Sequence, residues 1–382
     1  MVLVATQVKR RRGTEAENDA FTGAEGEITV DLTNNELRVH DGSTVGGHKV
    51  VGDTRFNTVI SDLQAKLPAD VINASPFIVA GTSSHKHIKF FAGTVLQLDS
   101  SHILNITADT EYNVVSYLDT GSALSNGKDY CIYLVPDGDG VKIAVSLNAS
   151  APSGYSSYRK IGGFHTLCVN VGTIAGHTLS GYVSTDILPA SIWCLNHRPL
   201  CNPAGMVYEP VNDVWVDIYN MNTSGGSAYG ATRAHTLQHF QFVELARANG
   251  KTLLTDNEFY CASKGSNQKT AVQGSAQPNP DTTGGRNDTG GRRMISNIGC
   301  EEMCGLQWQH LDPTYAAGGS GWNGQNGDEG SFYGSCMVLL AGGAWDSSSY
   351  CGSRCRGADI SLSFSGVSSG ARGRSPALHT VN

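Results

Sequence analysis

The sequence predicts a multidomain chain, mainly β and then α+β. Its 382 residues are enough for two or three domains that each bury a core. Glycine is abundant, at 46 residues, and charged residues make up only 16%, a composition of short strands and turns rather than long surface helices. Apolar/polar alternation dominates up to about residue 172, whereas helical spacing with capping signals is found mainly beyond it.

Residues 1–52 read as short strands separated by Gly-rich turns. Glu27–Asp31 and Glu36–His40 alternate around Asn34-Asn35, which predicts a hairpin. So small a unit is not expected to be stable as a monomer. Residues 53–172 open with Val59, Leu63 and Leu67, whose four-residue spacing before Pro68 predicts a short helical connector. Ile88–Phe91, Tyr130–Val135 and Val141–Val145 then read as strands, the last two joined by a turn over Pro136–Gly140, and together they predict a β-sandwich.

Residues 173–382 mix helix and strand. His235–Ala248 places Leu237, Phe240, Val243 and Ala246 on one side and stops at Asn249-Gly250. Thr255-Asp256-Asn257-Glu258 is a capping box opening a second helix that ends near Gly265. From Gln273 to Arg293 there is hardly an apolar residue, which predicts a long surface loop. The remainder returns to short strands and turns.

A net charge of −7 argues against nucleic acid as a partner, and the one basic run, Lys9–Arg12, is short and sits at a strand start. The N-terminus lacks the apolar core of a signal peptide and no later run of about 18 apolar residues could insert in a membrane, so the expected site of production is a cytoplasm. The ten cysteines are then expected to be mostly reduced.

The C-terminal segment has its own composition. After Trp345 there is no Lys, Glu, Gln, Met or Trp. These are the residues whose codons end only in a purine. A segment scrambled at the adenines of Asn codons (AAC or AAT) keeps a pyrimidine third base, so it can yield Ser, Tyr, Cys, Asp, Gly, Ile, Phe and Ala but none of the missing types and no stop.

The N-terminal RRRGTEAENDAFTGAEGEITVDLTNNELRVHDGSTVGG resembles the opening domain of phage tail-fibre and tropism-determinant proteins. GKDYCIYLVPDGDGVKI, followed by APSGYSSYRKIGGFH, is similar to their middle domain. CNPAGMVYEPVNDVWVDIY, ARANGKTLLTDNEF, GGRRMISNIGCEEMCGLQWQHL and GGAWDSSSYCGSR with the later GARG resemble their C-terminal domain. The family in question is that of the phage major tropism determinants, variable proteins of diversity-generating retroelements. The resemblance implies a homotrimeric receptor-binding protein at the tail-fibre tip, either in the virion or prophage-encoded and made in the host cytoplasm. Its implied parts are an N-terminal β-prism (1–52), a helical connector and β-sandwich (53–172) and a C-terminal C-type-lectin fold of the formylglycine-generating-enzyme type (173–382). The implied partners are a bacterial cell-surface receptor, protein or glycan, and other tail-fibre proteins; no enzymatic activity, cofactor, nucleic acid or membrane insertion is implied.

In that family a C-terminal patch that contacts the receptor is diversified by reverse transcription with adenine infidelity. The spacing between GGAW, GSR and GARG matches without a gap, so the resemblance carries the variable positions onto Ala344, Asp346, Ser348, Tyr350, Gly357, Asp359, Ile360, Phe364, Gly366, Ser368 and Ser369. All of them belong to the pyrimidine-ending set. Positions 344–350 and 364–368 recur every second residue, which in an extended chain puts each set on one face and turns Trp345, Ser347 and Ser349 the other way. Tyr350 and Phe364 would supply rigid apolar area, Asp346 and Asp359 charge, and the serines and glycines adaptable contacts, as in antibody paratopes. Leu362 and Phe364 also alternate with Ser363 and Ser365, so by pattern alone they could line the core.

Other chemistry finds weaker footing. Cys351 and Cys355 echo the copper-binding pair of formylglycine-generating oxidases, with a spacing one residue shorter. Cys300, Cys304 and Cys336 lack the second close pair of a zinc site. His235 and His239 have metalloprotease spacing, but Thr236 stands where a general-base Glu is needed. Gln277-Pro278-Asn279 echoes the sugar-binding motif of C-type lectins without the Trp-Asn-Asp that completes it, which keeps a glycan-binding tail protein as the alternative. Asp281, Asp288 and Asp328 leave room for a structural Ca²⁺. Glu301, Glu302, Asp312 and Glu329 offer carboxylates for a glycan hydrolase, with nothing to single out an acid and a base.

Overall fold

The predicted N-terminal hairpin forms with its turn where the asparagines place it. The computed structural model describes residues 11–50, 70–99, 101–272, 281–285, 289–316, 322–324, 331–333 and 336–379. It divides the chain into two units, Met1–Ala69 and Asp70–Asn382. In the first, β1 (Arg11–Gly13), β2 (Ile28–Asp31), β3 (Glu36–Val39) and β4 (His48–Lys49) form one sheet in that order. Asp31 faces Glu36 across β2 and β3, and Asn35 takes a φ of +51°, a left-handed turn position that asparagine tolerates. Helix α1 (Glu15–Asp19) is closed by a Thr14/Glu17 capping box.

The centre of this unit is polar. Buried Arg38 pairs with Asp31 at 3.0 Å and with Asp19, and Thr29 Oγ1 lies 3.0 Å from His40 Nε2. Leu32, Leu37, Val39, Val45 and Val50 are exposed instead. The expected connector at Val59, Leu63 and Leu67 lies outside the described residues.

In the second unit, β5 (Ile78–Ala80), β6 (His87–Phe90) and β9 (Thr110–Asn113) form one sheet, and β7 (Thr94–Gln97) pairs with β8 (Ile103–Ile106). Strands β10 (Asp129–Asp137) and β11 (Gly140–Ser146) meet at Asp137–Gly140, so the predicted turn is real and Gly138 sits at φ +61°. Alternation then decides the packing. Tyr130, Ile132 and Leu134 of β10 join Ile88, Phe90, Leu96 and Ile106 in one core, while Cys131, Tyr133 and Val135 pack on the opposite face. The first core also takes in Ile187, Ile192 and Cys194, well past residue 172.

The sheet does not stop there. From β10 it runs through β12 (Arg159–His165), β13 (Trp193–Cys194), β14 (His197–Pro199), the C-terminal strand β25 (Gly373–His379), β16 (Val214–Asp217) and β15 (Met206–Glu209), with β17 (Thr252–Leu253) also on β25. The end of the chain is thus inserted between strands some 160 to 180 residues earlier.

Helix α2 (His239–Ala248) starts four residues later than its periodicity suggests, because Thr236 has φ +57° and Gln238 serves as the extended N-cap. Its buried stripe is His239, Phe242 and Ala246; of the expected set only Ala246 is buried, while Leu237, Phe240 and Val243 are half-buried. Helix α3 (Asp256–Ala262) has the expected box: Thr255 N–H donates to Glu258 Oε2 at 2.8 Å, and Glu258 N–H to Thr255 Oγ1 at 3.4 Å. The stretch from 273 to 293 is not a surface loop throughout. Residues 273–280 and 286–288 lie outside the described residues, but Thr283, Thr289 and Arg293 are buried, Arg293 against the carboxylate of Glu301.

A second sheet carries the C-terminal segment: β19 (Tyr315–Ala316), β22 (Cys336–Gly342), β18 (Trp308–His310) and β24 (Ser369–Ala371) in that order, with β23 (Gly352–Ser361) on β22. A separate pair joins β20 (Trp322–Gly324) to β21 (Ser331–Tyr333).

Candidate functional site

The proposed variable residues fall on the loop between β22 and β23, on β23 itself, and on the turn leading into β24. Neither loop is extended. Residues 344–350 form two successive turns, Ser347 N–H to Ala344 O at 3.1 Å and Tyr350 N–H to Ser347 O at 2.8 Å, and Ser348 has φ +52°. Residues 362–368 are likewise turns and coil. The expectation of period-two faces is therefore corrected: accessibility here is set by turn geometry rather than by pleat.

Burial sorts the positions. Asp346, Ser348, Tyr350 and Asp359 are exposed, Tyr350 at 76%, which for so large a ring is far from a packing role. Gly357, Ile360, Phe364, Gly366 and Ser368 are half-buried. Ala344 and Ser369 are fully buried, so neither offers its own side chain to a partner. Phe364 is neither core nor free: its Cζ lies 2.8 Å from where a Cβ on Gly366 would be, so a side chain at 366 must displace that ring.

Trp308 joins the separate stretches, and sequence reasoning missed it. Its backbone N–H donates to Ser368 O at 2.9 Å and it pairs with Ser369 in register; its side chain packs against the buried cluster that holds Leu306, Ala344 and Trp345 and comes within 3.8 Å of where a Cβ on Gly357 would be. Two residues earlier Leu306 O accepts from Trp345 N–H at 3.1 Å. Gly357, Ser368, Ser369 and the cluster that holds Ala344, drawn from both loops and β23, thereby meet at Trp308. Nothing local marks a lone Trp in GLQWQHL for that role.

The motifs GGAW, GSR and GARG each have a physical reason. In GGAW, Gly343 has φ +81°, and a Cβ at that position would stand only 2.6 Å from both Tyr350 O and Cys351 Cβ, so glycine alone fits, while Trp345 fills the core beneath the loop. In GSR, Ser353 N–H donates to Gln268 Oε1 at 3.0 Å and Arg354 lies over the Tyr260 ring while donating to its hydroxyl at 3.0 Å. In GARG, Arg372 is wholly buried. It donates to the carbonyls of Asp217 and Ile218 (2.6 Å each) and Glu301 (2.5 Å), to Asn220 Oδ1 (2.9 Å) and to Gln309 Oε1 (3.3 Å).

The thiols of this region are hydrogen-bonded to the backbone. Burial pushes Cys351 up to about 11 and raises Cys355 as well, and each donates to a backbone carbonyl, Ser348 and Tyr350 respectively. Among the described residues no three His, Cys, Asp or Glu side chains converge as metal ligands. Asp281 is taken up by Arg233 (2.5 Å) and His235 (2.9 Å); Asp288, Asp328, Glu329 and Gln277–Asn279 lie outside the described residues. His235 stands before α2 and His239 is buried at its first turn, so they do not share a helix face.

Residues 8–44 match the family model "Major tropism determinant N-terminal domain" and residues 78–194 the model "Mtd second domain". The chain is 31% identical over 398 aligned positions to the tail fiber receptor-binding protein of Bordetella phage BPP-1, covering 97% of this chain and 98% of that protein. Among solved structures it is similar to the U1 variant of Major Tropism Determinant (TM-score 0.70, 29% identity) and to the M1 variant (TM-score 0.71, 28% identity), in each case over 98% of this chain and 100% of the other.

Proposed function

Because the chain belongs to the major tropism determinant family, we propose that it is a phage tail protein that sets host tropism by binding a bacterial surface receptor through the surface around Trp308. The observation that carries this is the frame and its contents: GGAW and GARG are anchored in the core and GSR is held at the surface by Gln268 and Tyr260, whereas Asp346, Ser348, Tyr350 and Asp359 project from this frame. The contact surface comprises those residues with Gly357, Ile360, Phe364, Gly366 and Ser368; Ala344 and Ser369 act from beneath by shaping the loops. The codon pattern after Trp345 supports diversification of this set.

The rest of the chain presents the surface. The polar centre and exposed apolar residues of the first unit suit a β-prism whose core is completed by two further copies, giving a homotrimer joined to other tail-fibre proteins. Residues 53–172, with a core reaching Cys194, serve as connector and β-sandwich, and the remainder as a C-type-lectin-fold domain. Trimeric display would raise avidity by roughly 10²–10⁴ where several receptors are engaged at once. The matched relative is named a receptor-binding protein, and a non-enzymatic role for this chain is the reading that its family supports.

Replacing Tyr350 and Asp346 together by serine in the full chain tests this. Binding to host cells should be lost while trimer size and melting temperature stay unchanged; retained binding would remove the surface from its role, and loss of the trimer would assign the residues to the fold.

A further inference from the structure

Independently of the receptor-binding surface, two histidines face each other across the ladder of β14 and β25. His197 and His379 are directly opposed in the antiparallel register, with Nδ1 atoms 3.5 Å apart. That is long for an N–H···N hydrogen bond. It is close to the separation of two nitrogens bound at about 2.0–2.1 Å to one tetrahedral ion.

The surroundings favour the second interpretation. His379 Nε2 lies 2.7 Å from Asp213 Oδ1, and the same oxygen accepts the Tyr208 hydroxyl at 2.7 Å. A carboxylate there keeps the proton on Nε2 and turns the lone pair of Nδ1 toward His197, which is how metal-ligating imidazoles are oriented. His197 is buried between Tyr208 and Trp215, which hold its ring in place opposite His379. Beside the pair lies a cavity of about 300 Å³, lined by Ser75, Pro76, Pro189 and Tyr208, with space for water or an external donor.

We propose that His197 and His379 form a two-imidazole site for a divalent first-row transition ion of the zinc class, with Asp213 positioning His379 and the remaining coordination positions open to the cavity. Imidazole suits zinc, copper and nickel, whereas calcium and magnesium prefer oxygen. Bound there, the ion would staple the C-terminal strand to β14 and stabilise the folded chain in proportion to its occupancy.

The test is calorimetric titration of the chelator-treated full-length protein with zinc chloride, paired with melting curves in zinc and in EDTA. One zinc per chain is expected, with a melting temperature that rises with zinc and falls back in EDTA. His379→Ala should abolish both effects, and Asp213→Asn should weaken binding about 10- to 100-fold. His379 is half exposed, so its variant should fold, which circular dichroism checks. Copper(II) electron paramagnetic resonance supplies a second readout: coupling to two nitrogens in the native chain, reduced in His379→Ala. Zinc binding of equal stoichiometry and strength in the native chain and His379→Ala, or none in either, would overturn the proposal.

Discussion

Replacing Arg372 by methionine should be among the most damaging single changes in the C-terminal half. Methionine keeps the aliphatic length but no donor. The carbonyls of Asp217, Ile218 and Glu301, the Asn220 amide oxygen and the Gln309 amide oxygen all lose a partner inside the core. An unsatisfied buried acceptor costs about 1–3 kcal/mol. Amide side chains can reorient, so the backbone carbonyls dominate. Against them stands relief of the cost of burying a guanidinium, which here disfavours the charged form. The net expectation is a loss of about 3–5 kcal/mol. Urea denaturation of the full chain would read it as a lower midpoint at unchanged m-value. A loss under about 1 kcal/mol would refute the reasoning, since it would mean that those carbonyls find other donors and that the GARG motif is not an anchor.

Trp345→Ala empties the core under the β22–β23 loop and should cost about 3–5 kcal/mol in denaturant titrations, whereas the neighbouring Asp346→Ser should change stability by less than about 0.5 kcal/mol. Ser348 sits at φ +52°, so Ser348→Ile should cost about 1–2 kcal/mol while Ser348→Gly should not destabilise; equal melting temperatures would show that the loop rearranges. His310 is buried beside His239 and its pKa is brought down to about 3 from an ordinary 6.5, chiefly by burial. The unfolded chain therefore binds a proton that the folded chain refuses, so this contribution is intact above pH 6.5 and is lost as pH falls toward 3. His310→Leu should flatten the stability profile between pH 6 and pH 4 by about 1.4 kcal/mol per pH unit. An unchanged slope would place the acid sensitivity elsewhere.

Features written in neighbouring residues were legible. The Asn34-Asn35 hairpin, the turn at Gly138 and the Thr255 capping box depend on contacts a few residues apart, and each forms where the sequence places it. What depended on distant partners was not. Arg372 looks like a surface charge in Gly-rich surroundings until β16 and the Glu301 segment deliver acceptors from far along the chain. Insertion of β25 between β14 and β16 has no local signature either. The C-terminal patch falls between these cases. Its motifs and composition are visible in the sequence, but alternation at 344–350 suggested a strand, whereas positive φ at Gly342 and Gly343 ends β22 and Ser347 closes turns on both sides.

The proposal that the surface around Trp308 chooses the receptor is open to direct selection. Asp346, Ser348, Tyr350, Gly357, Asp359, Ile360, Phe364, Gly366 and Ser368 would be randomised with pyrimidine-ending codons in the full-length protein, and variants recovered by adsorption to a panel of bacterial strains. The recovered proteins should melt within a few degrees of the parent and bind strains the parent does not. Recovery of only the parental host range, or of variants that bind new strains only after changes outside these positions, would show that host choice lies elsewhere in the chain.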